Sequence, residues 1–189
     1  MGEVRVGLIG LGTIGVGVAR ILLEQQSLMA RRLGRKLRLV RACDLDITTD
    51  RGLDFAGVEL TTDVDAIVRA DDVDVVIELI GGYEPARSFV ATAIGYGKHV
   101  VTANKALVAR HGEELFSLAA GKSVAIGFEA AVGGGIPCLK ALREGLASNA
   151  IESVYGILNG TCNYILTKME NEGAAFADVL KQAQELGYA

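Results

Sequence analysis

Three glycines, an aspartate and a lysine are the residues of this sequence whose types and spacing suggest chemistry. Gly10, Gly12 and Gly15 stand in "GLGTIG", a G-x-G-x-x-G pattern directly after an apolar run and directly before a helical one. In that context Gly10 permits a tight turn, Gly12 lets the backbone approach a pyrophosphate, and Gly15 lets helix and strand pack closely. The N–H groups of Thr13 and Ile14, at a helix start, then face the anion. Asp44 ends the second apolar run, in "CDLD", where a carboxylate accepts hydrogen bonds from a ribose hydroxyl pair and repels a 2′-phosphate. It equally suits a residue that starts a turn. Arg41, Arg51 and a basic insert over residues 26–36 are near enough in sequence to oppose that repulsion. Lys105, in "VTANKALVA", follows the end of another apolar run. An amine there either holds a carbonyl oxygen or exchanges a proton with an alcohol, or it is a solvated residue of a helix's first turn.

These residues need a scaffold that brings strand ends together. Residues 4–10, 36–44, 72–80, 98–102 and 123–128 read as strands too apolar to have a wet face, with helical segments at 13–25, 85–96 and 105–120. Buried strands separated by helices imply a parallel sheet covered on both faces. The expected fold is α/β, a Rossmann-type doubly wound parallel sheet, followed by an incomplete α+β catalytic domain. Ligands of such sheets lie beyond the carboxyl ends of the strands, where Gly81 and Gly82 of "ELIGGYEP" also fall. The alternation stops near Phe128, which divides the chain into a nucleotide-binding domain, residues 1–128, and the beginning of a catalytic or dimerisation domain, residues 129–189. In the second part 151–159 reads as a strand and 160–187 as mostly helical, with Gly187 as a C-cap.

Composition narrows the function. The 189 residues are 50% hydrophobic and 22% charged, with a net charge of −4, which fits a globular chain rather than a disordered one. There is no extended basic run for nucleic acid or for a polybasic membrane anchor, no apolar run of membrane-spanning length and no cleavable leader pattern. Cys43, Cys138 and Cys162 have no C-x-x-C spacing, so a reducing, cytoplasmic setting is expected, without a disulfide framework or zinc site. His99 and His111 lack a partner spacing and read as structural.

Taken in order, "GLIGLGTIG", "VTANKALVA", "EAAVGGGIP", "YGILNGTCNYIL" and the closing "AQELGYA" resemble homoserine dehydrogenase across essentially the whole chain. The resemblance implies NAD- or NADP-dependent interconversion of L-homoserine and L-aspartate 4-semialdehyde, in threonine and methionine biosynthesis. It implies Lys105 as the proton-transfer or substrate-positioning residue, with Asn104 and Lys105 beside the cofactor. It implies a sodium ion held at Glu129, Val132, Gly134 and Ile136 by one carboxylate and main-chain carbonyls, and substrate contacts at Gly160, Thr161 and Tyr188. Without the resemblance Thr161 would be a helix N-cap. Family members dimerise through the catalytic domain and continue past "LGYA" with further acidic residues and a second lysine, so a chain of this length is expected to bind cofactor but to turn over homoserine poorly. Two other readings remain: another Rossmann oxidoreductase, for which Cys138 and Cys162 lack a paired histidine, and a non-catalytic NAD-sensing module, which leaves "NKAL" and "NGTCNYI" without a purpose.

Overall fold

The structure, a computed structural model, describes residues 2–186. Backbone contacts divide the chain into two units, Met1–Ala131 and Val132–Ala189.

The first unit is built on six parallel strands: β1 (Glu3–Ile9), β2 (Lys36–Cys43), β3 (Glu59–Thr61), β4 (Val75–Glu78), β5 (His99–Thr102) and β6 (Ile126–Gly127). Their order across the sheet is β3-β2-β1-β4-β5-β6. Chain order therefore reverses at β1, which pairs with β2 on one side and β4 on the other. That reversal opens a crevice at the carboxyl ends of the strands. The register slips by one between Val6 and Gly7, with Val6 opposite Leu39 and Gly7 opposite Arg41. Val40 is the extra residue, which is how Leu39 and Ala42 come to share a face.

Both faces are covered, as continuous apolar strands require. One core gathers Val6, Leu8, Leu11, Leu39 and Ala42 with Ala19 and Leu22 of α1 (Thr13–Glu24). The other gathers Ile9, Val40, Val76 and Val100 with residues of α3 (Asp65–Val68), α4 (Ala86–Gly95) and α5 (Lys105–Gly121). The basic insert at 26–36 folds as a separate helix, α2 (Gln26–Leu33), closed by Gly34 in the left-handed conformation. Two strands are shorter than the sequence suggests: 72–80 reduces to β4 and 123–128 to β6. β3 and α3 come from residues that carry no clear period. On α1, Ile14 and Ile21 are 61% and 47% exposed, while Gly15, Ala19 and Leu22 are buried.

The second unit is a short helical turn, α6 (Cys138–Lys140), running into a π-helical turn at Ala141–Gly145, then α7 (Gly160–Glu172) and α8 (Phe176–Glu185). Ile165, Val179 and Ala183 form the core of the α7–α8 pair. Residues 151–159, expected as a strand, run without regular structure and leave Tyr155 91% exposed. A strand is held by a neighbour's hydrogen bonds, and β-propensity alone does not create one. No helix among the described residues is long and apolar enough to cross a membrane.

Candidate nucleotide site

The turn between β1 and α1 is fixed by contacts that only glycine tolerates. Gly10 has φ +100° and donates its N–H to the Cys43 carbonyl at 2.8 Å. A side chain at Gly15 would place Cβ 1.9 Å from the Gly10 carbonyl oxygen, whereas a Cβ at Gly12 would meet nothing within 4 Å. Gly15 is thus required by packing, while Gly12 faces open space where a ligand's backbone approach would occur. Thr13 begins α1, no side chain caps that helix, and its first turn carries no acidic residue. Such an end attracts an anion through its N–H groups and its dipole.

Asp44 follows β2 directly and is bonded into this turn. Its Oδ2 accepts the Leu11 N–H at 2.6 Å and its Oδ1 accepts the Asp46 N–H at 3.0 Å. Arg51 crosses from the other side: its guanidinium donates to the carbonyls of Leu11 at 2.9 Å, Thr49 at 2.9 Å and Asp46, and stands 3.7 Å from the Asp44 carboxylate. Arg41, by contrast, reaches away to the Ala66 carbonyl and Asp72. Asp46 is held well below the usual carboxylate range, first by the Thr49 hydroxyl and then by the N–H groups of Thr48 and Thr49. Burial pushes the neighbouring Cys43 thiol up, with Asp44 and Asp63 adding to the effect.

Two cavities open at the strand ends. The larger, about 660 Å³, is lined by Gly10, Gly12, Asp44, Leu45, Asp63, Pro85 and Phe89 among others. The smaller, about 400 Å³, is lined by Ile14, Gly82, Ala103, Asn104, Lys105 and Ala106. Leu79, Ile80 and Gly81 belong to both, so one loop forms the wall between them. Gly81 and Gly82 have φ +74° and +72°, a left-handed pair that explains the choice of glycine in that loop. Ile14, exposed on α1, is a wall of the smaller cavity.

Lys105 is the first residue of α5 and exposed at the smaller cavity. Asn104 caps the helix, its Oδ1 accepting the Leu107 N–H at 3.0 Å while its Nδ2 donates to the Gly82 carbonyl at 2.8 Å. The fold therefore brings Gly10, Gly12, Thr13, Ile14, Gly15, Asp44, Gly81, Gly82, Asn104 and Lys105 to one end of one sheet. His99 and His111 lie elsewhere: His99 accepts the Ala125 N–H on its Nδ1, and His111 stands 3.6 Å from Glu114. Reasoning from sequence passed over Glu78, Thr102 and the pocket walls at 62–64 and 84–89; a carboxylate closing an otherwise apolar strand, "DVDVVIE", was the available signal.

The remaining expected positions fall at the end of the first unit and in the second. Glu129 is in the 3-10 turn Glu129–Ala131 that ends the first unit. Val132, Gly134 and Ile136 begin the second, where the Cys138 thiol donates to the Val132 carbonyl at 3.6 Å and the Cys138 N–H to the Ile136 carbonyl at 2.8 Å. Gly160 and Thr161 open α7, but the N-cap is Asn159, whose side chain accepts the Cys162 N–H at 2.8 Å. Asn is the stronger cap and stands one residue before the helix, which displaces Thr161 into the first turn. Tyr188 and Gly187 lie outside the described residues.

Two family models match the chain in succession. Residues 10–129 match the family described as homoserine dehydrogenase, NAD binding domain, and residues 137–189 match the family described as homoserine dehydrogenase. The chain is 51% identical over 189 residues to the homoserine dehydrogenase of Neisseria gonorrhoeae, covering 100% of this chain and 43% of that protein. The crystal structure of a homoserine dehydrogenase from Thiobacillus denitrificans is similar over 99% of this chain and 43% of its own, with TM-score 0.90 and 52% identity. A hyperthermophilic archaeal homoserine dehydrogenase mutant in complex with NADPH is similar over 98% of this chain and 62% of its own, with TM-score 0.77 and 26% identity. The chain thus spans 43% of the length of the bacterial relatives compared.

Proposed function

The chain belongs to the homoserine dehydrogenase family, and from that membership we propose that it carries the dinucleotide site, and the start of the substrate site, of an enzyme interconverting L-homoserine and L-aspartate 4-semialdehyde. The observation that carries this reading is the pair of cavities sharing one loop at the sheet's reversal point, with the glycine turn beside one and Lys105 on the other. A dinucleotide laid across that loop puts its adenosine half in the larger cavity and its nicotinamide half in the smaller. When bound, the nicotinamide supplies the hydride acceptor or donor.

The protein's own residues then have distinct tasks. The α1 terminus and the open face at Gly12 receive the pyrophosphate. Asp44 faces the adenine ribose and disfavours a 2′-phosphate; because Arg51 is held by three carbonyls, its charge stays on the turn, and the preference is for NAD over NADP. Lys105 exchanges a proton with the alcohol oxygen of homoserine or holds the aldehyde oxygen of the semialdehyde. Gly160 and Thr161 offer an N–H and a hydroxyl to the amino-acid end of the substrate, joined by Tyr188.

Glu129, Val132, Gly134 and Ile136 make an all-oxygen donor set, the kind a hard cation such as sodium takes. The carbonyls of Val132 and Ile136 each accept a bond from Cys138 and retain a second lone pair that a cation could take. A cytoplasmic setting and a homodimer formed through the second unit complete the proposal.

Parallel fluorescence titrations of the chain with NADH and NADPH test it. Saturable binding with NADH tighter is expected; tighter NADPH would overturn the role given to Asp44, and no binding of either would overturn the nucleotide site.

A further inference from the structure

Glu78 closes β4 after Val75, Val76 and Ile77 and is fully buried. A carboxyl group there is costly unless every oxygen is bonded. Its Oε1 accepts the N–H of Ile80 at 2.9 Å and of Gly81 at 3.3 Å, and its Oε2 accepts the Thr102 hydroxyl at 2.6 Å. Thr102 closes β5 and is Glu78's partner in register. The same hydroxyl oxygen accepts the Asn104 N–H at 3.0 Å, and Asn104 reaches back to the Gly82 carbonyl at 2.8 Å. The bonds close a ring: Glu78, the loop 80–82, Asn104, Thr102 and Glu78 again. Ile80 and Gly81, which the ring holds, belong to the wall between the two cavities, and Lys105 follows Asn104 along the chain.

We propose that Glu78 is a positioning residue for the nicotinamide half of the cofactor and for Lys105. It rests on the dinucleotide reading of the two cavities. The carboxylate turns the N–H groups of Ile80 and Gly81 inward, so they are not offered to a phosphate, and phosphate recognition is left to the turn at 10–15. Through Thr102 it fixes Asn104, and through the Asn104 cap it fixes where α5 begins and where Lys105 emerges. Gly82, Ala103, Asn104 and Lys105 line only the smaller of the two cavities, so a fault on the Thr102–Asn104 side of the ring acts on that half of the ligand.

The test separates the halves. Reduced nicotinamide mononucleotide, followed by its fluorescence, and ADP, followed by calorimetry, are titrated into the 189-residue chain and into Thr102→Val, Thr102→Ser and Glu78→Gln. Thr102→Val removes the bond to Glu78 and the bond from the Asn104 N–H, and Glu78→Gln puts an amide donor where the Thr102 hydroxyl needs an acceptor; each is expected to weaken the nicotinamide half roughly five- to tenfold. ADP affinity stays within about twofold in Thr102→Val, because that hydroxyl bonds only Glu78 and Asn104, neither of which lines the larger cavity, and in Glu78→Gln the amide oxygen still accepts the N–H groups of Ile80 and Gly81. Thr102→Ser restores the nicotinamide half. Unchanged nicotinamide affinity in both variants overturns the proposal, and so does an equal loss for both ligands together with a fall in melting temperature, which marks a core role only. Should Thr102→Val fail to fold, Glu78→Gln, which keeps the volume, decides by the same ratio. If the unsubstituted chain binds neither half, the dinucleotide reading fails and the positioning role falls with it, an outcome distinct from wild-type binding that the variants leave unaltered.

Discussion

The Asp44 carboxylate accepts the backbone N–H of Leu11 at 2.6 Å, although the two residues are 33 positions apart and on different strand ends. Arg51 takes the carbonyl of the same residue at 2.9 Å, so Leu11 is clamped from both sides of its backbone. The residue read as selecting the cofactor is therefore also part of what shapes the glycine turn. Asp44→Asn removes the like-charge repulsion against a 2′-phosphate while weakening one arm of the clamp. The expected result is that NADH binding falls and the NADH-to-NADPH affinity ratio drops by about tenfold, since like-charge juxtaposition costs several kcal/mol at close range. Paired titrations of wild type and variant read that ratio directly; a ratio that does not move removes Asp44 as the selector.

Gly12 and Gly15 stand in one motif but predict opposite behaviour. At Gly15 an added Cβ lies 1.9 Å from a backbone carbonyl oxygen, with no flexible side chain to yield. Gly15→Ala should lower stability by about 1–3 kcal/mol, in the range of overpacked sites, and lose cofactor binding with it. At Gly12 the Cβ meets nothing, so Gly12→Ala should melt close to wild type. It should still weaken NADH severely, because the methyl takes the space the pyrophosphate needs. Thermal melts beside titrations distinguish the two; if Gly12→Ala binds NADH normally, the pyrophosphate does not pass there.

What the sequence disclosed follows from the range of the forces involved. The β1 turn and the start of α5 were legible because their signals are local: glycines that sterics demand within six residues, and an Asn cap directly before Lys105. β3 is three residues long, too short to show a period, and β6 keeps only two of the residues read as a strand at 123–128. The stretch between β2 and β3 is held by side chains bonding their own backbone, such as Asp46 to Thr48, Asp50 to Gly52 and Asp54 to Ala56, which leaves no hydrophobic pattern. Residues 151–159 are rich in β-branched and aromatic or aliphatic residues, yet are not paired in a sheet. The Glu78–Thr102 bond joins positions 24 apart, and only a folded sheet can put them side by side.

Away from the crevice, Asp74 ties the loop before β4 to β1. Its carboxylate accepts the Arg5 guanidinium and backbone N–H, both at 2.7 Å, and the guanidinium bond holds it below the usual carboxylate range. A depressed carboxyl contributes stability that is present above its unfolded value, 3.8, and is lost as pH falls through the lower folded value. Asp74→Asn should therefore be less stable than wild type at neutral pH, by at most about 1 kcal/mol given how far solvent screens the pair. The difference should shrink as pH drops below 3.8. Denaturant melts at several pH values measure it, and a gap that widens toward acid would show the sign to be wrong.

Lys105 carries the chemical part of the proposal, and its position makes that part separable from binding. It is exposed at the first turn of α5, where the helix dipole disfavours a cation, and no ion pair involving it is seen among the described residues. A lysine kept in such a place without a stabilising contact suggests that its amine serves a ligand, and the adjoining 400 Å³ cavity is where that ligand would lie. Truncating it leaves Asn104 and its cap intact, so the α5 start and the cavity wall persist. On the proposed activity, Lys105→Ala in a chain extended to the length of its relatives should lower kcat by about 10²–10⁴, the usual worth of a positioned proton-transfer group. The Kd for NADH should remain within about threefold, since removing an interaction made only in the transition state lowers kcat without altering ground-state binding. Steady-state rates with homoserine and NADH titrations give the two numbers independently. Full activity in the alanine variant would leave Lys105 as a solvated first-turn residue, and an equal loss of rate and cofactor affinity would make it a binding group instead.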